Sequence, residues 1–180
     1  IADEYVEENK YVSIFAENYS NKTTMENRYW QKIDGLGYTG NSMMAKPLID
    51  FSVPEKNNII NAPALEYTFH TFSKGKSEIT VYCIPTHPIN DNYSMRFGLT
   101  VDGTEPIILD HHTSVESNEW KRNVRSNQAK VTTTVNFDSS GSHTLRLYAI
   151  DQGVIIDRMT INFGNNMDSY GIIPETAKKN

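Results

Sequence analysis

A single cysteine, Cys83, stands in 180 residues, so no disulfide can form within the chain and no cysteine-built zinc site is possible. No apolar run approaches the ~18 residues that a membrane-spanning helix needs. The opening IADEYVEENK is acidic where a signal peptide would be basic and then apolar, so it is expected to belong to a mature protein or to a piece of a longer one. Cations are in the minority, with 17 Lys and Arg against 22 Asp and Glu and a pI near 5.5. They are also scattered, which argues against nucleic acid or an anionic membrane as partner. Catalytic signatures are missing as well. There is no G-x-S-x-G, P-loop or dinucleotide fingerprint, and the five histidines (His70, His87, His111, His112, His143) show no ligand spacing such as H-x-x-x-H. His111 and His112 adjoin on a strand end, where neighbours point to opposite faces.

What is present is alternation. Leu65, Tyr67 and Phe69 alternate with Glu66, Thr68 and His70; Ile79, Val81 and Cys83 share one face; Met95, Phe97, Leu99 and Val101 share another. Val131, Thr133, Val135 and Phe137 form one more such series, followed by Leu145, Leu147 and Ala149. Each pattern has the period of two of a half-buried strand. Asp102-Gly103 is a two-residue hairpin signal between Val101 and the returning Ile107 to Leu109. A short helix is expected around Ser117 to Val124, where Trp120 and Val124 are four apart. About nine short strands with one helical segment predict a single all-β domain, an antiparallel sandwich. We expect a lead-in or linker over 1–10, the sandwich over 11–164 and a tail over 165–180 that drapes over one edge.

The most specific stretch is Tyr11 to Met44, which holds Ala16-Glu17-Asn18-Tyr19 and then W-Q-K-I-D-G-L-G-Y-T-G, Trp30 to Gly40. Glycines at 35, 37 and 40 suit consecutive turns at positive φ and a close approach of neighbouring chain. Together with Pro63 to Tyr67, Thr80-Val81-Tyr82, Arg96 to Asp102, Trp120, Gly141 to Leu145 and Asp151 to Val154, in that order, this pattern resembles the C-terminal β-sandwich domain of glycoside hydrolase family 115, the xylan α-glucuronidases. The resemblance runs over roughly 12–173. More distantly, Ala16-Glu17 with the G-Y-T-G turn resembles carbohydrate-binding module families 6 and 35. Those relatives imply a galactose-binding-like jelly roll. They also imply a non-catalytic domain attached to the rest of a parent glycoside hydrolase, supporting its architecture and subunit contacts or binding xylan or another plant polysaccharide. The parent is implied to be secreted, periplasmic or at the cell surface of a bacterium.

Two sets of candidate residues follow. By the period of two, Ile155, Asp157, Met159, Ile161 and Phe163 share a face, so Asp157 is expected to point at apolar neighbours and to need a partner, since an unpaired buried charge costs several kcal/mol. The resemblance to the sugar-binding modules implies a structural calcium held by Glu17 and Asp157, and hard oxygen ligands suit that ion. The alternative is that Asp157 lies at the sandwich rim and accepts from Arg158, Tyr19 or backbone amides. For sugar stacking the candidates are Trp30, Tyr38, Tyr93 and Trp120, in or next to loops; the alternative for each is that the ring caps the core. A glycosidase needs two carboxylates converging about 5–10 Å apart. Asp110, Glu116 and Glu119 are available, yet nothing in the sequence brings a pair together, and in the resembled enzymes the catalytic centre is in a separate barrel domain.

Overall fold

A computed structural model describes residues 3–49, 56–165 and 173–179. Two sheets face each other across one core. The first runs β13 (Lys178–Lys179), β1 (Glu4–Val6), β6 (Ala64–Thr71), β11 (Gly141–Ala149), β8 (Arg96–Val101), β9 (Ile107–Asp110), with β3 (Asn21–Lys22) also on β6. The second runs β10 (Ala129–Phe137), β7 (Gly75–Cys83), β12 (Ile155–Asn162), β5 (Asn41–Lys46), β4 (Tyr29–Asp34), with β2 (Tyr11–Phe15) also on β12. The described pairings are antiparallel except β1 with β6. This is the expected all-β sandwich, and the expected alternation decides its faces. Tyr67, Phe69, Phe97, Leu99, Leu145 and Leu147 from one sheet meet Ile79, Val81, Met159 and Ile161 from the other. Burying each such side chain is worth roughly 1.5–3 kcal/mol.

The punctuation follows local chemistry. Asp102 and Gly103 both take positive φ, +52° and +71°, as a hairpin turn between β8 and β9 requires. Helix α1 (Asn118–Ser126) starts where the Ser117 hydroxyl accepts from the Trp120 amide at 3.0 Å, and it stops at Asn127 in the left-handed region. The two ends of the chain depart from expectation. Residues 4–6, placed in the lead-in by their polarity, form β1; Tyr5 is buried in the core and its hydroxyl donates to the Asn18 carbonyl at 3.0 Å. Of the expected tail, 166–172 lie outside the described residues. Beyond them, the Thr176 amide donates to the Ser13 carbonyl, Glu175 accepts from the Phe15 amide, and β13 pairs with β1.

The register of β12 positions everything that follows. Ile156 lies opposite Cys83 but Arg158 lies opposite Tyr82, so Asp157 is the extra residue of a β-bulge. At that same residue β12 changes its other neighbour, from β5 (Ile155 to Met44, Ile156 to Met43) to β2 (Arg158 to Phe15). Ile156, not Ile155, therefore enters the core cluster, which corrects the face-sharing expected from the period of two.

Candidate functional site

The bulge delivers the Asp157 carboxylate, 2% exposed, to the gap where β5 ends and β2 begins. The glycine turn closes over it. The Gly35 amide donates to the Gly40 carbonyl at 2.7 Å, and the amides of Tyr38 and Thr39 then aim at the carboxylate, each at 3.3 Å. Gly37 is the position that must be glycine. Its φ is +89°, and a Cβ there would overlap Asp157 Oδ1 and sit 2.6 Å from Ser42 Oγ. Thr39 Oγ1 lies 2.9 Å from Oδ1 and 2.8 Å from the Asn41 carbonyl, with one proton to share between them. Arg158 completes the set, donating from Nη1 to Oδ2 at 2.9 Å. Ser42 Oγ, which donates to the Leu36 carbonyl at 3.0 Å, also lies 3.4 Å from Oδ1. The carboxylate thus has a buried cation, two amides and two hydroxyls around it, enough donors for a desolvated carboxylate.

Glu17 is held separately. Its carboxylate accepts from Asn41 Nδ2 at 2.9 and 2.8 Å and lies 2.7 Å from Lys32 Nζ. Burial alone would raise its pKa; the Lys32 and Asn41 hydrogen bonds and the Lys32 charge outweigh that and hold it below the usual carboxylate value. Calcium requires six to eight oxygens at about 2.3–2.6 Å. Here Glu17 faces an ammonium and an amide NH2, and Asp157 faces a guanidinium, two N–H groups and the hydroxyls of Thr39 and Ser42. These are proton donors, two of them cationic, and they do not fit a calcium ion between the two carboxylates. Among the described residues no three His, Cys, Asp or Glu side chains converge as a metal site.

Arg158 is one of the partners expected for Asp157 in the alternative to calcium, and its own surroundings are the part the sequence does not show. It is 5% exposed, with its guanidinium carbon 4.2 Å from the Tyr82 ring centroid and 5.4 Å from that of Tyr38. With its amide oxygen turned toward Arg158, as the surroundings require, Gln128 accepts from Nη1 and Nη2 at 3.1 and 2.9 Å. The signal was available in the period of two, which sets Tyr82 and Arg158 on outward positions of adjacent strands.

The sugar-stacking candidates do not come together. Trp30 is fully buried, and its indole donates to the Pro63 carbonyl at 3.0 Å, so it caps the core and no sugar can reach it. Tyr38 is 44% exposed, but its hydroxyl is committed to the Ser126 carbonyl at the end of α1. Trp120 is half-buried near the start of α1 and donates to His87 Nε2 at 3.2 Å. Tyr93 is half-buried in a separate loop, with its amide on the Asn90 carbonyl.

Two facing sheets with one helix at the margin make a β-sandwich in which the carboxylates of Glu17 and Asp157 serve as structural acceptors. Solved modules share this fold: a family 6 module from a laminarinase of Zobellia galactanivorans (20% identity, TM-score 0.50, covering 84% of this chain and 98% of the module) and a family 35 module from Clostridium thermocellum (17%, 0.52, 86% and 98%). The chain belongs to the C-terminal domain family of glycoside hydrolase family 115, which it matches over residues 4–175. That is the accessory domain of these enzymes, not the catalytic one. A solved family 115 4-O-methyl-α-glucuronidase with specificity for decorated arabinogalactans is 26% identical, with a TM-score of 0.62; the match covers 82% of this chain and 18% of that enzyme. No curated protein matches the sequence.

Proposed function

We propose that the chain is the accessory domain of a family 115 α-glucuronidase acting on plant xylan, where it supports the architecture and subunit contacts of the parent enzyme. The parent works outside the cytoplasm, secreted, periplasmic or on the cell surface, because a polysaccharide must be met there. The observation that carries this reading is the match to the C-terminal domain over nearly the whole chain. The internal use of Trp30, Asp157 and Glu17 supports it, since each serves the fold. The experiment is an assay of the isolated chain against glucuronoxylan oligosaccharides, paired with size-exclusion of the parent enzyme with and without this domain. No release of glucuronic acid and a changed subunit state on deletion are expected; release by the isolated chain would overturn the reading.

A second reading, recognition of a plant polysaccharide, is favoured by the outer face of the second sheet. There the side chains of β7, β10 and β12 form a hydroxyl-lined depression instead of the long charged cover usual on a solvated sheet.

A further inference from the structure

We propose that the free edge of β10 is a pairing surface for a second copy of this chain, so that two domains join edge to edge and their second sheets run on as one. The inference rests on the subunit role proposed above and names the surface that carries it.

An open edge presents unpaired N–H and C=O groups, and folds guard such strands with brevity, charge, proline, bulges or covering chain. The other margins of this sandwich are guarded. β13 and β9 span two and four residues, β4 carries Lys32 and Asp34, and β2 is covered where Thr176 and Glu175 meet Ser13 and Phe15. β10 has none of these devices. It spans nine residues, AKVTTTVNF, with no proline and a lone charge near its start, Lys130, and it pairs with β7 from Ala129 opposite Cys83 to Phe137 opposite Gly75 without a break. Beyond it the second sheet has no further strand among the described residues.

Pairing across the sheet identifies the free groups. The Phe163 amide donates to the Lys10 carbonyl, on the β2 side of β12, and the Ile84 amide donates to the Ile155 carbonyl, on the β12 side of β7. Backbone groups alternate in direction along a strand. Arg158, Thr160 and Asn162 therefore bond Tyr82, Thr80 and Glu78 of β7, whose Val81, Ile79 and Ser77 bond Val131, Thr133 and Val135 of β10. The groups left pointing outward from the edge are the N–H and C=O of Lys130, Thr132, Thr134 and Asn136.

The strand is its own complement. A twofold axis through Thr133, the middle residue, places each of those edge amides against an edge carbonyl of the other copy, Thr132 opposite Thr134 and Lys130 opposite Asn136. On the inner side Val131 meets Val135 and Thr133 meets its own equivalent, β-branched pairs of the kind that stabilise a sheet. Val131 and Val135 are half-buried, packed on the core from one side, and the second copy covers what they leave open. Charge agrees with this register. No like charges oppose each other, and the exposed Asp138, two residues past Asn136, comes within diagonal reach of Lys130 of the second copy. Among the described residues neither Lys130 nor Asp138 has an ion-pair partner in its own chain. An unrelated strand would gain the backbone hydrogen bonds without these side-chain matches, which is what commits the edge to a second copy.

The test is sedimentation of the full 180-residue chain across micromolar concentrations, beside the parent enzyme carrying the same substitutions. A concentration-dependent dimer is expected. Thr134→Pro removes an edge amide that β7 does not use, so it should weaken pairing tenfold or more and keep the wild-type melting midpoint at concentrations too low for pairing. Thr133→Cys is the independent check. Residue 133 faces its equivalent as a non-hydrogen-bonded pair, with Cα atoms about 4.5 Å apart, a span that a disulfide bridges. Mild oxidation should link two chains through it, whereas Val135→Cys, which faces Val131, should not link. Cys83 is buried, and burial raises its thiol pKa, so it does not compete. A chain that stays monomeric and is not linked through Thr133→Cys, or a dimer that ignores Thr134→Pro and is not linked either, would overturn the edge pairing. Preferential linking through Val135→Cys would overturn the register. In the parent, a subunit state that changes on deletion of the domain but not with Thr134→Pro would overturn the edge and keep the subunit role, and indifference to both would overturn both. A monomeric parent with the Thr132 and Thr134 amides protected from exchange would give the edge to another part of that parent and overturn the second copy.

Discussion

Replacing Asp157 by Asn tests the site at its most constrained point. The two side chains are isosteric, so no cavity opens and the loss reports electrostatics and hydrogen bonding alone. In the wild type, Oδ2 accepts from Arg158 at 2.9 Å and from the Tyr38 amide, while Oδ1 accepts from Thr39. An asparagine offers one oxygen and one NH2, so either Arg158 or the Thr39 donors would face another donor. Arg158, 5% exposed, would keep only Gln128 and the two tyrosine rings. Breaking a buried ion pair by removing one partner costs about 3–5 kcal/mol. At roughly 2–4 °C per kcal/mol for a domain of this size, the midpoint should drop by about 6–20 °C. Thermal denaturation followed by circular dichroism or calorimetry measures it at neutral pH. A loss below ~1 kcal/mol would show that water supports Arg158 in place of the carboxylate and would refute the closed donor set described here.

Gly37→Ala attacks the same lock from the other side: a Cβ at φ +89° in contact with the carboxylate should destabilise by ~2 kcal/mol or more, with Gly35→Ala, which meets nothing within 4 Å, clearly milder on the same melts. Because the carboxylates are matched by protein donors, the melting midpoint should be the same in millimolar calcium and in chelator; binding at a hundredfold excess over Kd would add about 2.7 kcal/mol and a plainly visible rise, which would contradict the donor assignment. His111 is buried with both ring nitrogens lacking a hydrogen-bond partner, and burial lowers its pKa to about 4. The unfolded chain binds that proton near 6.5, so the His111 contribution is complete above pH 6.5, declines as pH falls toward 4, and amounts to about 3 kcal/mol; His111→Leu should flatten stability across that window, before carboxylate protonation takes over. Trp30→Ala should cost about 3–5 kcal/mol and leave any glycan affinity unchanged, as denaturant unfolding and titration would show.

The parts of this fold that follow local rules are legible in the sequence. Period-two alternation finds β7, β8 and β10, Asp102-Gly103 finds its hairpin, and the glycines at 35, 37 and 40 mark the turn that shapes the site. What is not legible depends on partners far away in sequence. The bulge at Asp157 is invisible to periodicity, because Ile155, Asp157 and Met159 continue the alternation unbroken; the shift comes from β12 meeting β5 and then β2 along one edge. Tyr5 and Val6 sit in three residues too short and too polar in company to read as a strand, and their burial is set by β6 some sixty residues later. Trp30 reads equally as a sugar platform or a core cap until the Pro63 carbonyl is placed beside it. Lys130 and Arg122 are separated in sequence, and only the pairing of β10 with β7 and the return of α1 bring them to one cleft.

Because β12 lies between β7 on one edge and both β2 and β5 on the other, it is the seam of the second sheet, and it is nearly the last strand of the chain to be synthesised. Before it arrives, the β4–β5 and β7–β10 pairs and the lone β2 have nothing to join them, and their inner faces cannot close on the core. Nearly the whole chain must therefore be made before folding can finish, and the contacts that complete it span more than a hundred residues, a topology that folds slowly and leaves apolar strands open to association meanwhile. In a chain stopped before residue 155 the first sheet could pair but the second would remain separate strands and hairpins, and a ribosome carrying this domain must extrude almost all of it before the second sheet is joined.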